Sequence, residues 1–168
     1  MGLQSKLLIY AAIGGLLALM GYFVYHASLD NPQLEQVEID LFSVEVLEVN
    51  NVENRAILEV TFLVSNPSDK TFTIPSITYE LTANGNSIGQ GKYSTEDISM
   101  PGRAAFYPGS EISLTNIFQL VLSDTNAPQY QAIIKGEPVQ YTVKGIVTVE
   151  TAWSLVEKDC LRGLSRPG

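Results

Sequence analysis

The sequence predicts an antiparallel β-sandwich carried on a single N-terminal membrane helix, and three observations predict it. A charge-free apolar run opens the chain, alternation of apolar and polar residues with period two fills most of the rest, and Asn-Gly and Pro-Gly pairs punctuate that alternation. At 168 residues the chain suits one domain of ordinary size plus one extra element.

From Leu7 to Tyr25 the run LLIYAAIGGLLALMGYFVY holds 19 residues without a charge. At about 1.5 Å per residue that helix spans roughly 28 Å, close to the bilayer hydrocarbon thickness of about 30 Å. A cleavable signal peptide has a shorter apolar stretch and ends in a small-x-small site. Here the exit reads Val24-Tyr25-His26-Ala27-Ser28, with bulky Tyr25 where a small residue is wanted, so an uncleaved anchor is expected. Positive flanks stay on the cytoplasmic side. Lys6 lies before the run, whereas seven acids and no Lys or Arg follow it as far as Glu53. The expected topology in the cytoplasmic membrane is therefore N-terminus inside and domain outside, with Tyr22, Phe23 and Tyr25 as an aromatic belt. Ala11 with Gly15, and Gly14 with Ala18, form small-xxx-small pairs that allow close helix packing, although such residues are also common in any membrane helix.

The expected division is an anchor over residues 1–27, a linker over 28–36 around Pro32, a sandwich over 37–157 and a polar tail over 158–168. Val37, Ile39 and Leu41 alternate with acids; the phase then slips to Val44 and Val46, which predicts a β-bulge. Ala56, Leu58, Val60, Phe62 and Val64 form the apolar side of the next strand, which ends at Asn66-Pro67 because proline lacks a donor. The strand from Phe72 to Ala83 contains Pro75, which marks an edge or bulge position. Asn84-Gly85 predicts a type I′ hairpin into a strand bearing Ile88, Gly89 and Gly91. Pro101-Gly102 and Pro108-Gly109 predict loops on either side of Arg103 to Tyr107, before a strand with Ile112, Leu114, Phe118 and Leu120. Asp124 is the expected cap of a short helix, roughly Ala127 to Lys135, ended by Gly136. Val139, Tyr141, Val143, Val147 and Val149 then give a closing strand. About seven strands with one short helix make a two-sheet antiparallel sandwich.

The stretch VTFLVSNPSDKTFTIPSITYELTANGNSIGQGKY, from Val60 to Tyr93, resembles the WHy (water stress and hypersensitive response) domain of the late embryogenesis abundant proteins of the LEA-2 type. Asn66 and Pro67 match the Asn-Pro that ends a strand in that family, Asn84 and Gly85 its hairpin, and Ile88 and Gly89 its Ile-Gly step. The similarity continues from Ile98 to Leu120 and from Val139 to Thr151, where Gly145 matches an internal strand glycine. The resemblance implies an immunoglobulin-like or fibronectin-like sandwich, often tethered by one helix and linked to stress protection. It brings no catalytic residues.

Composition points the same way. The net charge of −8 and pI near 4.5 argue against nucleic acid, which needs clustered Lys and Arg. Beyond the anchor nine basic residues face 18 acids, which also disfavours anionic lipid surfaces. His26, the sole histidine, lies at the membrane exit, so no Ser-His-Asp or Cys-His arrangement is expected in the sandwich. The acids from Glu35 to Glu53 lack the loop spacing that wraps calcium and read as a solvated strand face. Cys160 is the single cysteine; without a partner or strongly basic surroundings it reads as structural or incidental. No asparagine begins an acceptable glycosylation sequon. The expected function is non-enzymatic, without catalytic residue, cofactor or metal: a tethered binding or stress-protective module whose partners are the bilayer and one or more proteins. The alternative is an accessory subunit of a membrane complex.

Overall fold

The structure is a computed structural model that describes residues 3–95, 104–152 and 154–161. The expected Pro101-Gly102 loop, Trp153, the tail from residue 162 and the side chain of Cys160 lie outside the described residues.

The first element, α1 (Leu3–Leu34), is one continuous helix of 32 residues. Its segment Lys6–His26 is long and apolar enough to cross a membrane, and none of that window is buried against the rest of the molecule. The linker expected over 28–36 is corrected, because the backbone stays helical through Asp30, Asn31 and Pro32 to Leu34. Those three residues read as a break since proline removes a hydrogen bond and crowds the preceding turn. Packing overrides that preference. Leu34 and Val37 are fully buried in the sandwich core, and the Val37 amide donates to the Leu34 carbonyl at 3.3 Å. The Lys158 ammonium donates to the carbonyls of Glu35 and Val37. A cation suits that place, where helix carbonyls lack partners and the macrodipole is negative.

Among the described residues eight strands and one short helix follow: β1 (Glu38–Asn50), β2 (Arg55–Ser65), β3 (Phe72–Ala83), β4 (Asn86–Ser94), β5 (Ala105–Phe106), β6 (Glu111–Val121), α2 (Ala127–Ile134), β7 (Tyr141–Glu150) and β8 (Leu155–Leu161). They form two antiparallel sheets, one in the order β1-β2-β6 and the other β4-β3-β7-β8 with β5 paired to the start of β3. The inward faces meet in one core containing Leu58, Val60, Phe62, Ile77, Tyr79, Leu81, Phe118, Val143 and Val147.

Local chemistry accounts for most of the connections. In β1 the expected bulge falls between Leu41 and Ser43, and a second falls between Val46 and Glu48. Val46, expected on the apolar face, does stand opposite Leu58, yet it is exposed. Pro75 coincides with a register shift of β3 against β7, so the missing N–H costs no ladder bond. Asn84 and Gly85 have φ of 52° and 81°, the pair of positive values that a type I′ turn requires. The cap of α2 is corrected: Asn126, not Asp124, takes the N-cap position. Its side chain accepts from the Ser123 amide and donates to the Val121 carbonyl, which closes the turn before the helix. Gly136, at φ 69°, ends α2 as expected.

The expected polar tail from 158 begins inside β8, which pairs with β7 from Glu150 opposite Leu155 to Lys144 opposite Leu161. Three consecutive charged residues, Glu157, Lys158 and Asp159, hide the strand pattern, while the backbone ladder does not depend on side-chain polarity. Leu34→Ala should cost the sandwich about 2–5 kcal/mol, whereas Leu16→Ala, at an exposed helix position, should cost it nothing. Denaturant unfolding of the full chain in detergent, followed by circular dichroism, checks both.

Candidate functional site

The family-motif residues occupy three separate places in the fold. Asn66 sits at the end of β2, fully buried. Its Nδ2 donates to the carbonyls of Lys70 and Phe106 at 2.8 and 2.9 Å, and its Oδ1 accepts from the Ser68 amide and hydroxyl at 3.1 and 2.7 Å. Its backbone amide donates to the Ser110 carbonyl, and its own carbonyl accepts from the Gly109 amide. One side chain therefore satisfies four partners and pins the β2–β3 loop to the β5–β6 connection. Pro67 is exposed and stops β2. Asn84, at the opposite end of the sandwich, accepts from the Gln140 amide at 2.9 Å and so ties the hairpin to the entrance of β7.

The third place lies between the sheets. Tyr79 of β3 stacks edge-on against Phe62 at 5.0 Å and tilts against Phe118 at 6.3 Å, while its hydroxyl accepts from Asn116 Nδ2 at 2.8 Å. Glycines make room around it. A Cβ on Gly91 would lie 2.3 Å from the Tyr79 ring, and one on Gly145 would lie 2.2 Å from the Thr78 carbonyl oxygen. A Cβ on Gly89, at φ 145°, would meet the Phe118 ring at 3.0 Å. Ile88 is buried beside them. Gly91 belongs to this set as much as the two motif glycines, and its placement directly opposite Tyr79 in the β3–β4 register is the signal that only the pairing reveals.

Among the described residues no group of three or more His, Cys, Asp or Glu is placed to hold a metal ion. His26 closes the apolar Lys6–His26 segment within α1, with its ring 4.3 Å from Tyr22 and 5.8 Å from Tyr25. Gly14 and Gly15 face open space on α1, and Ala11 and Ala18 are exposed with them. The single N-terminal apolar helix has the length and composition of a membrane span or a signal sequence.

No family model matches the chain, and no curated protein matches it. Solved structures do. The chain is similar to the solution structure of AT1g01470 from Arabidopsis thaliana, at 14% identity and TM-score 0.49, over 77% of this chain and 83% of that one. It is similar to the solution structure of At2g46140.1, a protein assigned to the late embryogenesis abundant (LEA) proteins, at 11% identity and TM-score 0.47, over 92% and 84% of the two chains. A crystal structure of a protein from Archaeoglobus fulgidus matches at 17% identity and TM-score 0.42, over 73% and 92%.

Gly145→Ala should destabilise the sandwich by about 3 kcal/mol, because the added methyl meets backbone rather than a mobile side chain; Gly14→Ala should leave the same thermal midpoint in place. Burial raises the phenol of Tyr79 above its ordinary 10.0, partly opposed by the Asn116 hydrogen bond, and burial does the same for Tyr93 and Tyr141. The neutral phenols are thus favoured in the folded state. Their contribution is complete below pH 10 and is lost as pH rises through the elevated folded values. Tyrosinate absorbance should appear together with unfolding in an alkaline titration, and ionisation of these three in an intact sandwich would contradict it.

Proposed function

We propose that the chain is a membrane-tethered β-sandwich of the LEA-2/WHy type that acts without catalysis, as a binding or stress-protective module outside the cytoplasmic membrane. The observation that carries this reading is the pairing of an apolar helical segment, Lys6–His26, that is exposed throughout, with a sandwich that holds Leu34 at the end of the same helix in its core. Exposed side chains such as Leu7, Leu8, Leu17 and Phe23 need a non-aqueous solvent. Asn66, Asn84, Ile88, Gly89 and Gly145 support a structural role for the family pattern, because they are spent on packing or on backbone hydrogen bonds.

A second reading, an accessory subunit of a membrane complex, is favoured by one observation. Gly14 and Gly15 present backbone without obstruction on the Lys6–His26 segment of α1, none of which is buried against the described residues.

Full-length chain made with liposomes should float with them after alkaline wash, and added protease should remove the sandwich from the side opposite Lys6. A chain that stays in the aqueous phase contradicts the tether. Mild-detergent extraction with native mass measurement then separates the two readings: a lone species near the 18.4 kDa chain mass supports the module, and stoichiometric partners support the subunit.

A further inference from the structure

The two outer faces of the sandwich treat their polar groups differently. On the β4-β3-β7 side, Ser76 Oγ donates to Thr148 Oγ1 at 3.2 Å, the Thr82 and Thr142 hydroxyls bond each other, and the Ser87 hydroxyl donates to the Glu80 carboxylate at 2.5 Å. Glu80 also stands opposite Lys144. Those hydroxyls and the Glu80 carboxylate find partners on their own face.

The β1-β2-β6 face differs. Its outward positions, alternating with buried Leu58, Val60 and Phe62, bring together Glu38, Asp40, Glu45, Glu48, Glu59 and Glu111. Among the described residues none of these carboxylates has a hydrogen-bond or ion-pair partner, and the face's cation, Arg55, is held by Glu53 at 2.7 Å. Glu45 lies directly opposite Glu59 in the register. Like charges so placed destabilise a sheet. Beside them Ile117 and Val121 are 51% and 55% exposed on the same face.

The spread of these groups selects the occupant. From the partner of Glu38 to that of Glu48, eight residues of β2 cover roughly 27 Å at about 3.4 Å each. A single cation cannot span that distance, and no described cluster holds a metal. Polyanions are repelled. Several positive groups at strand-like spacing, with aliphatic groups between them for Ile117 and Val121, match both the charge and the exposed apolar area.

We propose that the outer face of the β1-β2-β6 sheet docks a cationic amphipathic polypeptide segment of a partner protein, with Lys or Arg alternating with aliphatic residues. This inference rests on the reading of the sandwich as a binding module.

The probe is a short fluorescent peptide alternating Lys and Val, titrated against the full chain in uncharged detergent, with a Glu-for-Lys peptide as reference. Binding of the Lys peptide should weaken about tenfold in Glu45→Gln/Glu59→Gln and become less salt-dependent. Ile117→Ser should weaken it at all salt concentrations, while Glu80→Gln/Glu157→Gln on the other sheet should leave it unchanged. The free Glu45→Gln/Glu59→Gln chain should melt at a higher temperature than the parent, since a repulsion has been removed. Absence of binding, or equal weakening by both double variants, overturns the docking face. If native mass measurement shows a partner retained equally by Glu45→Gln/Glu59→Gln, this face is wrong and the binding-module reading stands; if the chain neither binds the probe nor keeps any partner, both fall.

Discussion

The depth at which Tyr79 sits between the sheets sets the spacing of the sandwich. Its ring needs the Phe62 and Phe118 rings on one side and bare backbone on the other, which is why Gly91 and Gly145 lie where any side chain would collide. Its hydroxyl then needs a donor in an otherwise apolar layer, and Asn116 of β6 supplies one across the gap. A buried phenol without that bond would carry an unsatisfied polar group into the core. β3, β4, β6 and β7 are therefore fixed relative to one another by a single side chain. Asn66 does the equivalent work for the loops at one end, and Asn84 at the other.

Much of this architecture is legible in the residue order because local and long-range preferences agree there. The β2 alternation, the Asn84-Gly85 turn and the Gly136 stop each rest on a constraint acting within a few residues, and the structure follows them. Failures occur where contacts distant in sequence decide. Asp30-Asn31-Pro32 has every local mark of a break, but the core binds Leu34 and Val37 strongly enough to keep the helix going. β8 escapes notice because an edge strand can be assembled from charged residues through its backbone alone. Asp124 looked like the better cap until Asn126 was seen to use both ends of its amide on neighbouring backbone.

Most of the motif residues meet a local steric or hydrogen-bonding need: Asn66 and Asn84 bond backbone groups, Gly85 supplies a positive φ, and Gly89 and Gly145 leave room for their neighbours. Gly91 is absent from the motif reading since only the β3–β4 register sets it against Tyr79. The contrast between the two outer faces was equally hidden. Acids at alternate positions of β1 read as ordinary solvated residues, and nothing in one strand's sequence shows that Glu59 of the next lies opposite Glu45. Pairing turns two unremarkable residues into an unrelieved repulsion.

The bond from Lys158 to the carbonyl of Glu35 joins residues 123 positions apart. A ribosome delivers α1 well before β8, and domains complete themselves as their segments emerge. Until the final strand arrives, the helix end is held by Leu34 and Val37 alone and retains freedom to swivel about them. Setting the angle between the helix and the sandwich thus waits for β8, so synthesis that stops short of Lys158 leaves behind a domain with most of its core but no fixed bearing on its stem.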